Sequence, residues 1–282
     1  MKIKKIAAIT MARNDEFNLN RWIAYYGRLL GEENLYIYLD GLDQRAPGGA
    51  GRANVSLVEK QGIRVVDAEN RRLNFLSDRA AELFAAGYEI IIGVDSDEFL
   101  IADPKTGKNL PEYLSGLRVR NSVSGLGLDV GQHLNREKNF DKTIPFLRQR
   151  EYALINSRFT KTSVISRPLR WGRGFHRIRK HGYHIDNNLY LLHMGNTDWN
   201  ALHAKYMHPD IIARGEQKHF KRARMRVVLD ITKKYAINGD GVFWLARLIQ
   251  RVFHPVYCWA KPSMMGLRLV VKLPARFKKL GI

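Results

Sequence analysis

The sequence contains almost no cysteine and no long apolar run. Cys258 is the only cysteine among 282 residues, so no intrachain disulfide can form, thiolate zinc sites are excluded, and a reducing compartment is expected. No uncharged apolar stretch reaches the roughly 18 residues of a membrane-spanning helix. Lys2, Lys4 and Lys5 precede an apolar stretch, but this stretch is short and Arg13 follows it directly. We therefore expect a first β-strand there and not a signal peptide.

Acidic residues are scarce in the second half of the chain. The whole sequence has 47 Lys and Arg residues against 27 Asp and Glu residues, a net charge of +20. Residues 1–147 hold 20 of each kind, whereas residues 148–180 hold 10 basic residues against 1 acidic residue, and residues 200–282 hold 17 against 4. The second half is therefore expected to face an anionic partner, which is a nucleic acid, an anionic membrane surface or a phosphorylated substrate.

The spacing of apolar residues predicts an α/β fold with a doubly wound, mostly parallel sheet. Strands are predicted over residues 2–10, 35–39, 63–66, 90–95, 121–130, 152–156, 160–166 and 189–193, and helices over residues 16–30 and 74–86. Because the composition changes near residue 205, we expect a catalytic domain over residues 1–204 and a basic amphipathic helical tail over residues 205–282. Such a tail suits either an anionic bilayer surface or packing of its helix on the catalytic domain.

Three carboxylates follow the strand predicted to end near residue 95. Asp95, Asp97 and Glu98 lie within four residues, and carboxylates this close repel one another unless a cation or a proton separates them. In open α/β sheets, ligands bind at the carboxyl ends of the strands. Asp95 and Asp97 are therefore candidate ligands of a divalent metal ion that also binds substrate phosphates. The alternative is an acidic turn after a core strand.

Several short motifs occur in order along residues 3–195. They are Arg13-Asn14-Asp15-Glu16, Trp22-Ile23-Ala24-Tyr25-Tyr26, Leu35-Tyr36-Ile37-Tyr38-Leu39-Asp40, Val94-Asp95-Ser96-Asp97-Glu98-Phe99, Trp171-Gly172-Arg173-Gly174-Phe175-His176 and Leu191-Leu192-His193. This series resembles the GT-A glycosyltransferases of the family 2-like and family 92-like group, which carry an Asp-x-Asp-Glu-Phe metal motif. Tyr26 stands where that pattern usually has a histidine. The resemblance implies a Rossmann-like GT-A domain.

The resemblance also implies roles for individual residues. Asp95 and Asp97 would bind Mn²⁺ or Mg²⁺, and His193 would be a further metal ligand or, alternatively, a structural histidine. Arg13, Asn14, Glu16 and Asp40 would contact the nucleotide of the nucleotide-sugar donor. Lys161, Trp171 and His176 would contact either the donor or the acceptor. Asp40 is alternatively a turn residue, and the basic run that contains Lys161 is alternatively a solvated face.

The general base is the least defined part of this picture. An inverting transfer needs a carboxylate that deprotonates the acceptor hydroxyl. Residues 161–176, where we would look for it, contain no Asp or Glu. The carboxylates that remain as candidates are Glu98, Asp129, Glu151 and Asp198.

The function expected from these observations is a metal-dependent, inverting glycosyltransferase of the hexosyltransferase type. It would move a sugar from a nucleotide-sugar, with UDP as the expected nucleotide, to a saccharide or lipid-linked saccharide in cell-surface polysaccharide or lipopolysaccharide synthesis. We expect a cytoplasmic protein, peripheral on the inner face of the membrane. The alternatives are a metal-dependent nucleotidyltransferase and a basic nucleic-acid-binding protein, although the sequence lacks a helix-turn-helix, zinc-finger or RNP signature.

Overall fold

Strands and helices alternate along the first part of the chain, and strands dominate its middle. The computed structural model describes residues 2–61, 65–209, 212, 215 and 217–282. The strands are β1 (Ile6–Ala12), β2 (Leu35–Asp40), β3 (Asn54–Val58), β4 (Ile90–Gly93), β5 (Glu98–Ala102), β6 (Ser122–Gly131), β7 (Tyr152–Ile155), β8 (Val164–Ile165), β9 (Ile185–Asn196), β10 (Ile237–Asn238) and β11 (Val270–Lys272). The α-helices are α1 (Glu16–Leu30), α2 (Val65–Ala85), α3 (Leu110–Gly116), α4 (Phe146–Gln149), α5 (Trp199–Tyr206), α6 (Gln217–Phe220), α7 (Arg226–Lys233) and α8 (Gly239–Val252).

The described strands form one mixed sheet. Its path runs β10-β11-β7-β6-β8-β4-β1-β2-β3, and β9 pairs with β5 and β6 beside that path. β1 is parallel to both β2 and β4. Because parallel strands end at the same edge of a sheet, the segments that follow β1, β2 and β4 meet at one edge. The expected α/β class is confirmed.

Alternation along β1 supplies two separate hydrophobic cores. Ile6 and Ala8 pack in the larger core with the buried face of α1, whereas Ala7 and Ile9 pack in a second core with α2. Successive side chains of a strand point to opposite faces, so one strand with buried residues on both faces needs a helix on each side. This arrangement fixes β1 and β4 in the interior of the sheet.

The third strand lies earlier in the chain than the sequence predicts. It is β3 (Asn54–Val58), an edge strand that is only partly buried, and its weak apolar alternation explains why it was not predicted. The strand predicted over residues 63–66 is wrong at residues 65 and 66, which begin α2; residues 62–64 lie outside the described residues. β5 was also missed, because its first residue, Glu98, belongs to the acidic cluster.

The segment predicted as a basic tail belongs to the same sheet and the same core. β11 pairs antiparallel with β7, and Phe243, Phe277 and Ile282 are buried in the larger core. The boundary expected near residue 204 therefore does not separate a catalytic domain from a tail. None of the helices within the described ranges is long and apolar enough to cross a bilayer.

Arg276 fastens this C-terminal segment to the rest of the fold. Its guanidinium reaches the buried carboxylate of Asp103 with Nε–Oδ1 at 2.6 Å and Nη2–Oδ2 at 2.8 Å, and it also binds Asp240 on α8. Burial raises the pKa of Asp103, but the bonds from Arg276 hold it below its usual value. Asp103 is thus a buried charge that needs this partner.

Replacing Arg276 by alanine should lower the free energy of unfolding by about 3 kcal/mol, because it leaves the Asp103 carboxylate buried without its principal cation. The measurement is urea unfolding followed by tryptophan fluorescence. Lys279→Ala, which removes an exposed charge from the same segment, is the matched control and should leave the midpoint unchanged. Equal midpoints for both variants would contradict the role given to Arg276.

Candidate functional site at the carboxyl end of β4

A lysine lies between two of the three predicted carboxylates. Lys161 Nζ is 2.6 Å from Asp95 Oδ2 and 2.5 Å from Glu98 Oε1, and its side chain is 3% exposed. Arg72 on α2 holds the other oxygen of Asp95, with Nη2–Oδ1 at 2.8 Å. The repulsion expected among these carboxylates is therefore relieved by two cations that come from distant parts of the chain.

These cations set the protonation of the acids. Burial raises the pKa of Asp95, but Lys161 and Arg72 together bring it far below its usual range. Burial raises the pKa of Glu98 to about 7 despite Lys161, because Asp95 and Asp97 also oppose its charge. Asp95 is thus a fixed anion, and Glu98 is the acid of this cluster that holds its proton most readily.

Strand register delivers a histidine to the same place. In β9, His193 lies opposite Glu98 of β5 and opposite Asp129 of β6. Its Nδ1 is 2.7 Å from Asp129 Oδ1, which also accepts a hydrogen bond from Asn196. The ring of Phe159 stacks on the imidazole at a centroid distance of 3.9 Å. His193 is therefore fixed in position and orientation by its neighbours.

The other nitrogen of His193 faces an acid and a guanidinium together. Nε2 is 3.1 Å from Asp97 Oδ2, and Arg224 contacts Nε2 directly with its Nη1, which lies 3.9 Å from the same Asp97 oxygen. Burial lowers the pKa of His193, but Asp97 and Asp129 raise it to about 8. Burial raises the pKa of Asp97, but His193 and Arg224 bring it to about 2.

Gly195 leaves the space in which these groups meet. A Cβ atom at this position would lie 2.4 Å from Arg224 Nη1, 2.7 Å from Asp97 Oδ2 and 2.8 Å from His193 Nε2. A side chain there would push these three groups apart, so the absence of a Cβ atom at Gly195 is what allows them to approach this closely.

The donor atoms of Asp97 and His193 are suited to a divalent cation. A pKa of about 8 leaves His193 protonated on both nitrogens near pH 7, and a divalent cation would displace the proton on Nε2. Nδ1 would keep the proton that bonds Asp129, which is the arrangement found behind many metal-bound histidines. Neighbouring ligands of an octahedral ion with bonds of about 2.1 Å lie about 3 Å apart, and these two atoms are 3.1 Å apart. Asp95 would be a third donor but is held by Lys161 and Arg72. Within the described residues, no group of three or more His, Cys, Asp and Glu side chains is arranged to hold a metal ion.

A cavity of about 310 Å³ opens onto this cluster. Its walls include the carboxylates Asp95, Asp97 and Glu98 together with His193, Lys161, Arg72, Arg158, His176 and Arg224. Opposite charges therefore line one cleft, and a ligand there would meet both anionic and cationic groups. Asp95, Asp97, Glu98, Lys161, His176 and His193 are the predicted site residues that the structure brings together in it.

The predicted nucleotide contacts lie at the same edge but outside the walls of this cavity. Arg13 donates to the backbone oxygen of Asp40 at 2.5 Å and pairs with Asp43. The carboxylate of Asp40, the last residue of β2, accepts a hydrogen bond from the backbone nitrogen of Gln61. Asn14 and Glu16 are exposed at the start of α1. These four residues line the surface between the ends of β1 and β2.

Three of the four predicted bases have their carboxylates engaged elsewhere. The carboxylate of Asp129 bonds Nδ1 of His193, and that of Glu151 pairs with Lys272 and Lys278. Asp198 caps α5 by accepting a hydrogen bond from the backbone nitrogen of Ala201. None of these three is among the residues that line the cavity. Of the four, Glu98 alone lies in its wall.

Trp171 is a core residue and not a wall of the cavity. Its side chain is fully buried, its Nε1 donates to the backbone oxygen of Thr162 at 2.9 Å, and its ring packs edge-on against Phe175. Gly93 allows this packing, because a Cβ there would lie 2.7 Å from both rings. The expectation that Trp171 lines the donor or acceptor pocket is corrected: the indole holds the loop that presents His176.

Sequence reasoning missed Arg72, Arg224 and Asp15. Asp15 accepts a hydrogen bond from Ser96 Oγ at 2.6 Å and so ties the loop after β1 to the acidic motif. Arg72 and Arg224 each lie within helical segments rich in other basic residues, where no spacing distinguishes one arginine from the next. The motif Asp-x-Asp-Glu did require cationic partners, which is the signal that could have prompted a search for them.

In comparisons with known proteins, no protein-family model and no curated protein sequence matches this chain.

Replacing Lys161 by methionine should lower the free energy of unfolding by about 3 kcal/mol, because the buried carboxylate of Glu98 and the partly exposed carboxylate of Asp95 lose the cation between them. In the double variant Lys161→Met/Glu98→Gln the loss should be smaller, since one of the two charges is removed with its shape kept. Urea unfolding of the two single variants and the double variant gives the coupling. Additive effects would show that Lys161 and Glu98 do not interact.

Proposed function

We propose that this protein is a metal-dependent glycosyltransferase of the GT-A type, which transfers a sugar from a nucleotide-sugar to a saccharide or lipid-linked saccharide. The observation that carries the proposal is the placement of Asp97, in the loop between β4 and β5, beside His193 Nε2 of β9, in one cavity with Asp95. The sequence resemblance supports the same reading.

Glycosyl transfer requires stabilisation of the negative charge that develops on the leaving nucleoside diphosphate. Asp97 and His193 would hold Mn²⁺ or Mg²⁺, which would neutralise charge on the diphosphate that leaves the sugar. The guanidinium of Arg224 lies beside Asp97 and His193, where the metal ion would bind. Its side chain is 36% exposed, so it can rotate toward solvent when the metal ion binds. Lys161 and Arg224 would add positive charge along the path of the diphosphate.

The acceptor hydroxyl must lose its proton as it attacks the sugar carbon. We assign this role to Glu98, which is the one predicted base in the cavity wall. Asp129 would act through His193, whose orientation and tautomer it holds. An inverting transfer follows if Glu98 and the leaving diphosphate lie on opposite faces of the donor sugar.

The metal site is tested by binding. With Mn²⁺ present, UDP should bind the wild-type chain and should lose at least about tenfold in affinity when Asp97→Ala removes a metal ligand. Isothermal titration with and without Mn²⁺ measures this, and Glu82→Gln on the exposed side of α2 is the control. Unchanged UDP affinity in a folded Asp97→Ala protein would contradict the metal site.

Glu98→Gln should retain UDP binding and lose transfer of the sugar to the acceptor.

The reaction class is tested with a panel of donors. Nucleotide-sugars should be turned over in a metal-dependent way, whereas nucleoside triphosphates should not. Incorporation of nucleotide from a triphosphate would instead identify a nucleotidyltransferase.

We also propose that the protein works on an anionic membrane surface at the cytoplasmic face. α8 turns apolar side chains outward: Trp244, Leu248 and Val252 are each about half exposed or more, and Tyr257 and Trp259 follow in the next loop with 78% and 77% exposure. Exposed apolar groups of this size, flanked by basic residues, suit a bilayer interface.

The buried side of α8 explains how this face arises. Arg247 lies on this buried side: its Nε donates to the backbone oxygen of Asp186 at 2.9 Å and its Nη2 to that of Leu189 at 3.2 Å. The helix thus packs on the core through Val242, Phe243, Ala246 and Arg247, whereas Trp244, Leu248 and Val252 face outward. Both uses predicted for the C-terminal helix are therefore compatible with one structure.

The double variant Trp244→Ser/Trp259→Ser should bind vesicles at least about tenfold less than the wild type, because burial of one large apolar side chain contributes about 1.5–3 kcal/mol. Co-sedimentation with anionic vesicles measures this. Tyr235→Ser, which changes an exposed aromatic residue outside this segment, is the matched control. The membrane proposal would be rejected if the wild type, the double variant and the control all pelleted equally. It would also be rejected if the wild type bound a nucleic-acid duplex tightly but did not bind vesicles.

A further inference from the structure

A second cavity, of about 850 Å³, adjoins the one that contains the carboxylates. The two share wall residues, among them Arg158, Gly174 and His176. From there the second cavity extends past Arg177 to Tyr257 and Lys261, beside the exposed aromatic residues that follow α8. Its volume is within the range that holds a ligand of several rings or groups.

Cations dominate the walls of this second cavity. Arg158, Arg173, Arg177 and Lys261 all line it, and none of them forms an ion pair with a carboxylate in the part of the chain that the structure describes. Arg173 contacts the amide of Asn70, and Arg177 contacts the sulfur of Cys258, which are both neutral partners.

The one acid in this wall does not balance these charges. Glu69 accepts hydrogen bonds from Arg72 at 3.1 Å and from the backbone nitrogen of Gly174 at 2.8 Å. Its charge is thus already matched within the protein. Four cations without a carboxylate partner repel one another around this space, and an anion brought from outside would relieve that repulsion.

Mutual repulsion among these cations is visible at Lys261. Burial lowers the pKa of Lys261, and the nearby charges of Arg158 and Arg177 lower it further. Burial also lowers the pKa of His176 well below its usual value, with Lys161, Lys261 and Arg158 acting in the same direction. The cavity is thus a region of positive potential that reaches from the surface to the edge of the carboxylate cluster.

The hydrogen-bonding groups of this wall suit phosphate oxygens. Arginine binds phosphate through paired N–H groups, and lysine adds a point charge. Ser157 and Tyr257 line the same cavity and add hydroxyl groups. Carboxylate-bearing sugars would satisfy fewer of these donors than a phosphate or diphosphate does.

We propose that this cavity is a phosphate-binding subsite for the acceptor, so that the acceptor carries a phosphate or diphosphate group next to its saccharide. This inference rests on the proposed glycosyl transfer and names the acceptor class for it. Two sources have this chemistry: a lipid-linked phosphate reaching in from the aromatic face, and a free sugar phosphate. The position of Tyr257 at the rim leaves a path for either.

The subsite is tested with inorganic pyrophosphate in the presence of EDTA, so that the result does not depend on the metal site. Arg158→Ala/Lys261→Ala should weaken pyrophosphate binding by at least about tenfold, since two charge-assisted contacts are lost. Lys108→Ala/Lys279→Ala, which removes two exposed charges elsewhere, should leave it unchanged. Isothermal titration measures both, with circular dichroism to confirm folding.

Titration of UDP with Mn²⁺ separates this subsite from the donor site. The Arg158→Ala/Lys261→Ala protein should bind UDP within about twofold of wild type, because two rim charges contribute little where the metal dominates. A parallel loss of UDP affinity would assign these cations to the donor and overturn the acceptor subsite. Unchanged pyrophosphate binding in the same variant would also overturn it. Failure of the proposed function would show separately, as absent Mn²⁺-dependent UDP binding in the wild type.

Competition identifies the source of the phosphate. Vesicles that contain a polyprenyl phosphate should displace pyrophosphate better than the same vesicles without it if the acceptor is lipid-linked. A hexose 1-phosphate should displace pyrophosphate better than these vesicles do if the acceptor is a free sugar phosphate. Displacement by neither would reject a phosphorylated acceptor.

Discussion

The pairing of buried acids with buried cations is the constraint on which this structure depends. Glu98 can be buried, and Asp95 half-buried beside it, after β4 only because Lys161 lies between them and Arg72 holds the far side of Asp95. An unpaired charge in the same place would cost several kcal/mol. α2 and the segment between β7 and β8 must therefore converge on β4, and this requirement joins the geometry of the sheet to that of the site.

The sequence predicted the parts of the fold that depend on local patterns. Ile90–Gly93 and Glu16–Leu30 are an uninterrupted apolar run and a helix with one apolar face, and both were placed almost to the residue. β3 and β5 were missed because one is a partly exposed edge strand and the other begins with an acid. Local pattern carries no information about strands whose stability comes from their neighbours in the sheet.

The candidate site likewise contains residues that the sequence predicts and residues that it does not. Asp95, Asp97 and His193 could be selected from motif and order, and the structure places them in one cavity. Arg224 could not, because its contact with His193 depends on how a helical segment with a π-helical turn crosses the end of β9. Trp171 looked like a ligand-binding aromatic residue from its motif, but its burial follows from long-range packing that the motif does not encode.

Gly195 shows a constraint of a different kind. The residue contributes no donor, acceptor or charge, yet a single methyl group there would collide with an imidazole, a carboxylate and a guanidinium. What position 195 supplies is an empty volume in which groups from β9, the acidic motif and the segment before α7 approach one another. Side-chain chemistry alone would pass over this position, although alanine, the mildest of substitutions, would displace the imidazole, the carboxylate and the guanidinium together.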